Sequence, residues 1–110
     1  MALLNISVLQ KLEGRLGAAG LSAVLAGLAR DCQSGLDELN DALMSGDETK
    51  ARRVGHKFVG IFRQYGIEGA PLALGVDPRI DWREECRRLM LSCTDLGAEI
   101  ATRLGSHTDA

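Results

Sequence analysis

His56 is the residue of this chain that is best suited to nucleophilic chemistry. A neutral imidazole in water attacks activated phosphoryl groups readily, and the phosphohistidine product keeps a high transfer potential. If the residues around His56 form a helix, its apolar side chains lie between about 140° and 240° around the helix axis from the imidazole. This pattern predicts an exposed imidazole opposite a buried stripe, which consists of Ala51, Val54, Phe58, Ile61, Phe62 and Tyr65.

Four cations and one glycine surround the imidazole on the same helix. Arg52, Arg53 and Arg63 lie within about 60° of it, and Lys57 lies about 100° away. Their positive charge would offset the negative charge of phosphoryl oxygens. Gly60 follows one turn later on the histidine side, where a glycine costs about 1 kcal/mol relative to alanine. We expect this glycine to leave room for a partner to approach the ring.

The segment GHKFVGIFRQYG around the histidine resembles the signature of histidine phosphotransfer (HPt) domains of bacterial multistep phosphorelays. That signature is a helix carrying His-x-Leu-Lys-Gly with a second glycine further along. His56, Phe58, Gly60 and Gly66 match it in register, whereas Val59 stands where the family usually has lysine. The resemblance implies an antiparallel four-helix-bundle-like fold and phosphorylation at Nε2 of the histidine. It also implies that the lysine's absence slows transfer and that Val59→Lys speeds it.

By this resemblance the protein is a phosphocarrier and not an enzyme that uses ATP. The phosphoryl group would pass through His56 from the aspartate of one response-regulator receiver domain to that of another, with a hybrid sensor histidine kinase upstream in a two-component system. The sequence has no Gly-rich phosphate loop and no spaced acidic set for magnesium. We therefore expect no cofactor on this chain, and Mg²⁺ only on the receiver domain.

Two other functions fit the same sequence. The first is an HPt-like module that binds receiver domains without transferring phosphate, and Val59 is its best support. The second is a helical adaptor or dimerisation domain, for which the long leucine stripe of residues 21–43 is the evidence. Labelling by a phosphorylated receiver distinguishes these alternatives from phosphotransfer.

The sequence predicts an all-α fold, because apolar residues recur at helical spacing and no segment has the alternation of a strand. A first short helix is expected after Asn5 as N-cap, and the glycines within residues 17–20 end it. A long second helix is expected over residues 21–43. Residues 45–47, Ser-Gly-Asp, combine a helix stop with an N-cap, so the histidine helix is expected from about residue 48 to residue 66.

The segment after the histidine helix is expected to be shorter than in typical family members. Residues 67–80 contain two prolines and two glycines, which permit at most a helical turn around Pro71 to Leu74. Asp77-Pro78 is the predicted opening of the last helix, because proline is favoured at the first helical position. The apolar stripe of that helix continues to about Leu104.

With 110 residues the chain is long enough for one core. We expect a single helical domain over residues 1–104 and a polar tail over residues 105–110, in which His107 is a weak candidate site. The formal net charge is −2, but five of the thirteen cations lie in residues 49–67, which contain no acid. This local basic surface favours a local acidic partner over nucleic acid.

The three cysteines, Cys32, Cys86 and Cys93, each lie on an apolar helical stripe and form no CxxC pair. This spacing argues against a zinc site and predicts core packing in a reducing cytosol. The N-terminus has neither the basic region of a signal peptide nor a long apolar run. We therefore expect a cytoplasmic protein without direct membrane contact, either free-standing or as the terminal domain of a sensor kinase.

Overall fold

The computed structural model describes residues 3–67 and 72–108, with side chains as far as residue 105. The fold is an all-α bundle, 86% helical and without strands in the described residues. Four helices follow in chain order: α1 (Ile6–Ser45), α2 (Glu48–Gln64), α3 (Ala73–Val76) and α4 (Trp82–Thr108). The predicted all-α helical bundle is therefore confirmed.

Helix α1 is broken at Gly17, whose φ of 76° and ψ of 174° are not helical. Only glycine adopts this conformation without strain. The break divides α1 into a short arm, residues 6–16, and a long arm, residues 18–45. The predicted first helix is confirmed, including Asn5 as its N-cap. The long arm, however, begins directly after Gly17 and not at residue 21.

The short arm packs against the C-terminal end of α2, where Val8 and Leu12 line one cavity with Tyr65. Leu4 and Leu9 are buried in the core, and the carboxylate of Glu99 on α4 accepts the backbone N–H of Leu3 at 2.9 Å. Ile6 and Leu16, in contrast, are exposed at 58% and 48%, so these two apolar residues of the short arm do not face the core.

The turn between α1 and α2 follows the predicted chemistry. Gly46 ends α1, and the N–H of Asp47 donates to the carbonyl of Ala42 at 2.9 Å. The carboxylate of Asp47 then accepts the N–H of Lys50 at 3.0 Å and caps α2. Because no residue separates stop from cap, α2 must run back along the long arm of α1.

Helix α4 begins later and continues further than the sequence predicted. Asp81, and not Asp77, is its N-cap: the Asp81 carboxylate accepts the N–H groups of Arg83 at 3.1 Å and Glu84 at 3.4 Å. Asp77 instead accepts the N–H of Arg79 at 2.9 Å within a local turn. Helix α4 reaches Thr108, so the predicted tail from residue 105 is helical over its described part.

The core lies between the long arm of α1, α2 and α4. The predicted stripe of α4 is buried from its first residue, Trp82, through Cys86, Leu89, Cys93, Leu96 and Ile100. The turn predicted around Pro71 to Leu74 is a short helix, α3, that lies two residues later at Ala73–Val76, and Pro71 lies outside the described residues. Among the described helices, α1 alone is long and apolar enough to cross a membrane, with 17% of its most apolar window buried. This finding rests on length and composition only, and it departs from the expectation that the N-terminal part has no long apolar run. The core helix of a soluble protein and a signal sequence meet the same criteria.

Candidate functional site around His56

The rotation of α2 about its axis is fixed by two phenylalanines. Phe58 and Phe62 are fully buried, and their ring centroids lie 5.4 Å apart. Gly35 on α1 makes room for Phe58, because a Cβ there would collide with the ring. With this face fixed against α1, the side chain of His56 is exposed to solvent. The predicted orientation of the histidine helix is confirmed.

Helix α3 covers one side of His56, a contact that the sequence did not predict. A Cβ on Gly75 would lie 2.7 Å from three backbone atoms, the carbonyl carbon and oxygen of Gly55 and the nitrogen of His56. A Cβ on Gly55 would lie 2.9 Å from Cγ of Leu74. The backbones of α2 and α3 therefore touch directly beside the histidine, which requires glycine on both helices.

Val59 lies on the same covered side, one turn after Gly55, and is only 5% exposed. A lysine at this position would have to leave the buried surroundings of Val59 to bring its ammonium group to the imidazole. The predicted gain in transfer from Val59→Lys stays a prediction, and the burial of Val59 adds a cost in stability.

Arg52 holds α3 in place. Its guanidinium donates to the carbonyl oxygens of Asp77 at 2.8 Å, Pro78 at 3.2 Å and Leu74 at 3.4 Å, all at the end of α3 or just after it. Its Nε also donates to the carboxylate of Glu48 at 2.7 Å. These four hydrogen bonds direct the guanidinium toward α3. The charge of Arg52 is thereby engaged in the fold, which reduces what it can offer to a phosphoryl group.

The other side of His56 is open. A Cβ on Gly60 would meet nothing within 4 Å, so no packing in the described structure explains this glycine. Arg53, Lys57 and Arg63 are exposed, and within the described residues none of them forms an ion pair. Around the helix, Arg53 and Lys57 lie on the Gly60 side of the imidazole, at about 60° and 100°.

A surface cavity of about 190 Å³ continues this open side toward α1. It is lined by one acid and three cations together with Val54, namely Glu38, Lys50, Arg53 and Lys57. Lys50 is partly neutralised by Asp41, whose carboxylate lies 3.8 Å from its Nζ. The remaining positive charge of Arg53 and Lys57 makes this surface suited to an acidic group.

Gly66 has a structural explanation that is independent of any function. It ends α2 with a φ of 63°, and the following N–H, from Ile67, donates to the carbonyl of Phe62 at 2.8 Å. A Cβ there would lie 2.9 Å from Cγ2 of Val8 on the short arm of α1. Of the two glycines in the family signature, Gly60 is therefore the one that packing does not account for.

The structure brings together most of the residues predicted for the site. His56, Gly60, Arg53 and Arg63 share an exposed surface of α2, and Lys57 borders it. The predicted weak candidate His107 lies beyond residue 105, the last residue whose side chain the structure describes. Gly55 and Gly75 were missed, although a glycine directly before the histidine was a signal for close packing. Among the described residues no three His, Cys, Asp or Glu side chains form a group that could hold a metal ion.

Comparisons with protein-family models, with curated proteins and with solved structures give no match for this chain. The resemblance to HPt domains consequently depends on the residues of α2 and the turn that precedes it.

Proposed function

We propose that this protein is a histidine phosphotransfer domain in which His56 carries a phosphoryl group between receiver domains. The observation that supports the proposal best is the pairing of an exposed imidazole with an unpacked glycine one turn away, on a helix whose opposite face packs into the core. An ordinary surface histidine needs no such glycine, and this one costs about 1 kcal/mol of helix stability.

The proposed reaction needs only the imidazole from this chain. Nε2 attacks the phosphorus of an aspartyl phosphate, the N–P bond forms as the P–O bond to the aspartate breaks, and the carboxylate leaves on the receiver. The receiver supplies Mg²⁺, and the carrier needs no cofactor of its own. Transfer to a second receiver reverses these steps. The proposed location is the cytoplasm, where receiver domains and the kinase domains of sensor proteins work.

The open side of His56 is the proposed approach for the receiver. A receiver presents an acidic pocket around its aspartate, and the exposed Arg53, Lys57 and Arg63 would attract it. Because α3 blocks the other side, the receiver would reach the imidazole across Gly60. This arrangement gives the basic surface and the glycine a common purpose.

The proposal is tested by incubating the protein with phosphorylated receiver domains and measuring acid-labile phosphate on the carrier. We expect labelling of the wild type, no labelling of His56→Gln, and full labelling of His107→Gln. Helix content by circular dichroism should be the same in the wild type and in His56→Gln, because the side chain of His56 is exposed. Labelling that survives in His56→Gln would overturn the assignment.

A receiver-binding module without phosphotransfer is the second candidate, and it is favoured by the buried Val59 at the position where the family usually has lysine. The same experiment separates the two functions. A module of this kind would bind receiver domains in a pull-down and remain unlabelled, and His56→Gln would bind as well as the wild type.

A further inference from the structure

Helices α1 and α4 pack in an antiparallel register that can be read from one hydrogen bond. The thiol of Cys86 on α4 donates to the carbonyl of Leu39 on α1, with 3.6 Å between sulfur and oxygen. Cys32 lies seven residues before Leu39 on α1, and Cys93 lies seven residues after Cys86 on α4. Seven residues are about two turns, so the same faces meet again at that level. The register therefore places the two thiols opposite each other.

The surroundings of the two thiols agree with this register. Cys32 and Cys93 are each 1% exposed, and both line one cavity of about 290 Å³ between α1 and α4. Ala29 and Gly97 also line this cavity, and a Cβ on Gly97 would meet nothing within 4 Å. Small residues thus leave a space beside the thiols that a small molecule can enter, although the sulfur atoms themselves lie in the core.

The two thiols also influence each other's ionisation. A hydrogen bond from Cys93 lowers the pKa of Cys32, and the same hydrogen bond, together with burial, raises the pKa of Cys93. The shared hydrogen bond couples the two thiols, so the first ionisation belongs to the pair, and the thiolate that it produces is the reactive form. Cys86 has no such partner, and burial raises its pKa.

We propose that Cys32 and Cys93 form a redox-sensitive pair that a small hydroperoxide converts to a disulfide between α1 and α4. The Cys32 thiolate attacks one peroxide oxygen, the O–O bond breaks, and a sulfenic acid and hydroxide form. The sulfur of Cys93 then attacks the sulfenic sulfur, the S–S bond forms, and water leaves. Two thiols and one hydrogen peroxide give one disulfide and two waters. This step is independent of phosphotransfer through His56.

The positions of lysine and arginine allow each cysteine to be followed separately after digestion with trypsin. Trypsin cleaves after lysine and arginine and therefore places Cys32, Cys86 and Cys93 in three separate peptides, residues 31–50, 84–87 and 89–103. The folded full-length protein is treated with hydrogen peroxide, its remaining thiols are alkylated, and the digest is analysed without reductant. We expect peptide 31–50 linked to peptide 89–103, with loss of two hydrogen atoms, and peptide 84–87 alkylated.

Matched variants separate the proposed pair from general oxidation. Cys86→Ala should form the same linked peptide, whereas Cys32→Ala and Cys93→Ala should form none. The disulfide closes a long loop of the unfolded chain, so oxidation should raise the midpoint of thermal unfolding of the wild type and of Cys86→Ala by roughly 10 °C. Dithiothreitol should reverse this rise.

Three results would overturn the proposal. The first is a disulfide that involves Cys86, and the second is a disulfide between two chains. The third is that Cys32 and Cys93 of the wild type both stay reduced under peroxide and are then alkylated. The wild-type result suffices by itself if an alanine variant does not fold. None of these readouts depends on whether His56 accepts phosphate.

Discussion

The two sides of His56 contain the same residue type for opposite reasons. On the covered side, Gly55 and Gly75 are glycines because two backbones touch there, with an added Cβ on Gly75 only 2.7 Å from backbone atoms. On the open side, Gly60 is a glycine although an added Cβ would meet nothing within 4 Å. A helical glycine that the fold requires says little about function, whereas one that the fold does not require favours a partner outside the molecule.

The largest effect is expected on the covered side, from Gly75→Ala. The new Cβ would press on the backbone of Gly55 and His56, which cannot yield as a flexible side chain would, so α3 must move away from α2. We expect a loss of about 1–3 kcal/mol in the free energy of unfolding, measured by urea denaturation. Gly97→Ala on α4 is the matched control and should gain up to about 1 kcal/mol. Equal effects in the two variants would refute the close contact.

Removing the guanidinium that holds α3 should have the next largest effect. Arg52→Ala loses hydrogen bonds to three carbonyl oxygens at the end of α3, and we expect a loss of about 1–2 kcal/mol in the free energy of unfolding. Arg52→Lys should restore little, since one ammonium cannot reproduce the planar fork. Hydrogen exchange should be faster in α3 and little changed in α4.

Arg53→Ala is the control for this prediction, because its side chain is exposed on the open side. Its effect on stability should stay within about 0.5 kcal/mol. If Arg53→Ala and Arg52→Ala lowered the free energy of unfolding equally, Arg52 on the covered side of His56 would contribute no more to the fold than Arg53 on the open side.

These elements also show what the sequence could predict. The orientation of α2 was predictable, because its apolar residues repeat with the helical period and Asp47 caps it locally. The start of α4 was not, since both Asp77 and Asp81 are good N-cap residues and the proline after Asp77 favoured the wrong one. The guanidinium of Arg52, 25 residues before Asp77, donates a hydrogen bond to the carbonyl oxygen of Asp77 and holds that residue in a turn. The position of α3 likewise depends on the contact between Gly55 and Gly75, which are 20 residues apart, so no local sequence pattern predicts it.

On the open side, Gly60→Ala should increase stability. The position is helical and has space for a Cβ, so we expect a gain of about 0.5–1 kcal/mol in the free energy of unfolding. Gly60→Gln should gain less and should slow phosphotransfer from a receiver, because its side chain occupies the approach to the imidazole. A Gly60→Gln protein that accepts phosphate at the wild-type rate would show that this glycine does not serve access.

The smallest change in stability and a specific change in rate are expected from the exposed cations. Arg63→Ala removes a charge from the His56 face without removing a hydrogen bond within the described residues, so its stability should change by less than about 0.5 kcal/mol. If the charge attracts the acidic pocket of a receiver, the rate of transfer should fall, and the fall should be larger at low salt, where exposed charges are less screened. Arg79→Ala is the matched control: Arg79 is also exposed, but it lies beyond α3 and pairs with Asp77 at 3.6 Å. The measurement is the transfer rate at two ionic strengths for each variant. A rate that falls equally for both variants would mean that net charge attracts the receiver, and that the cations beside His56 have no special position.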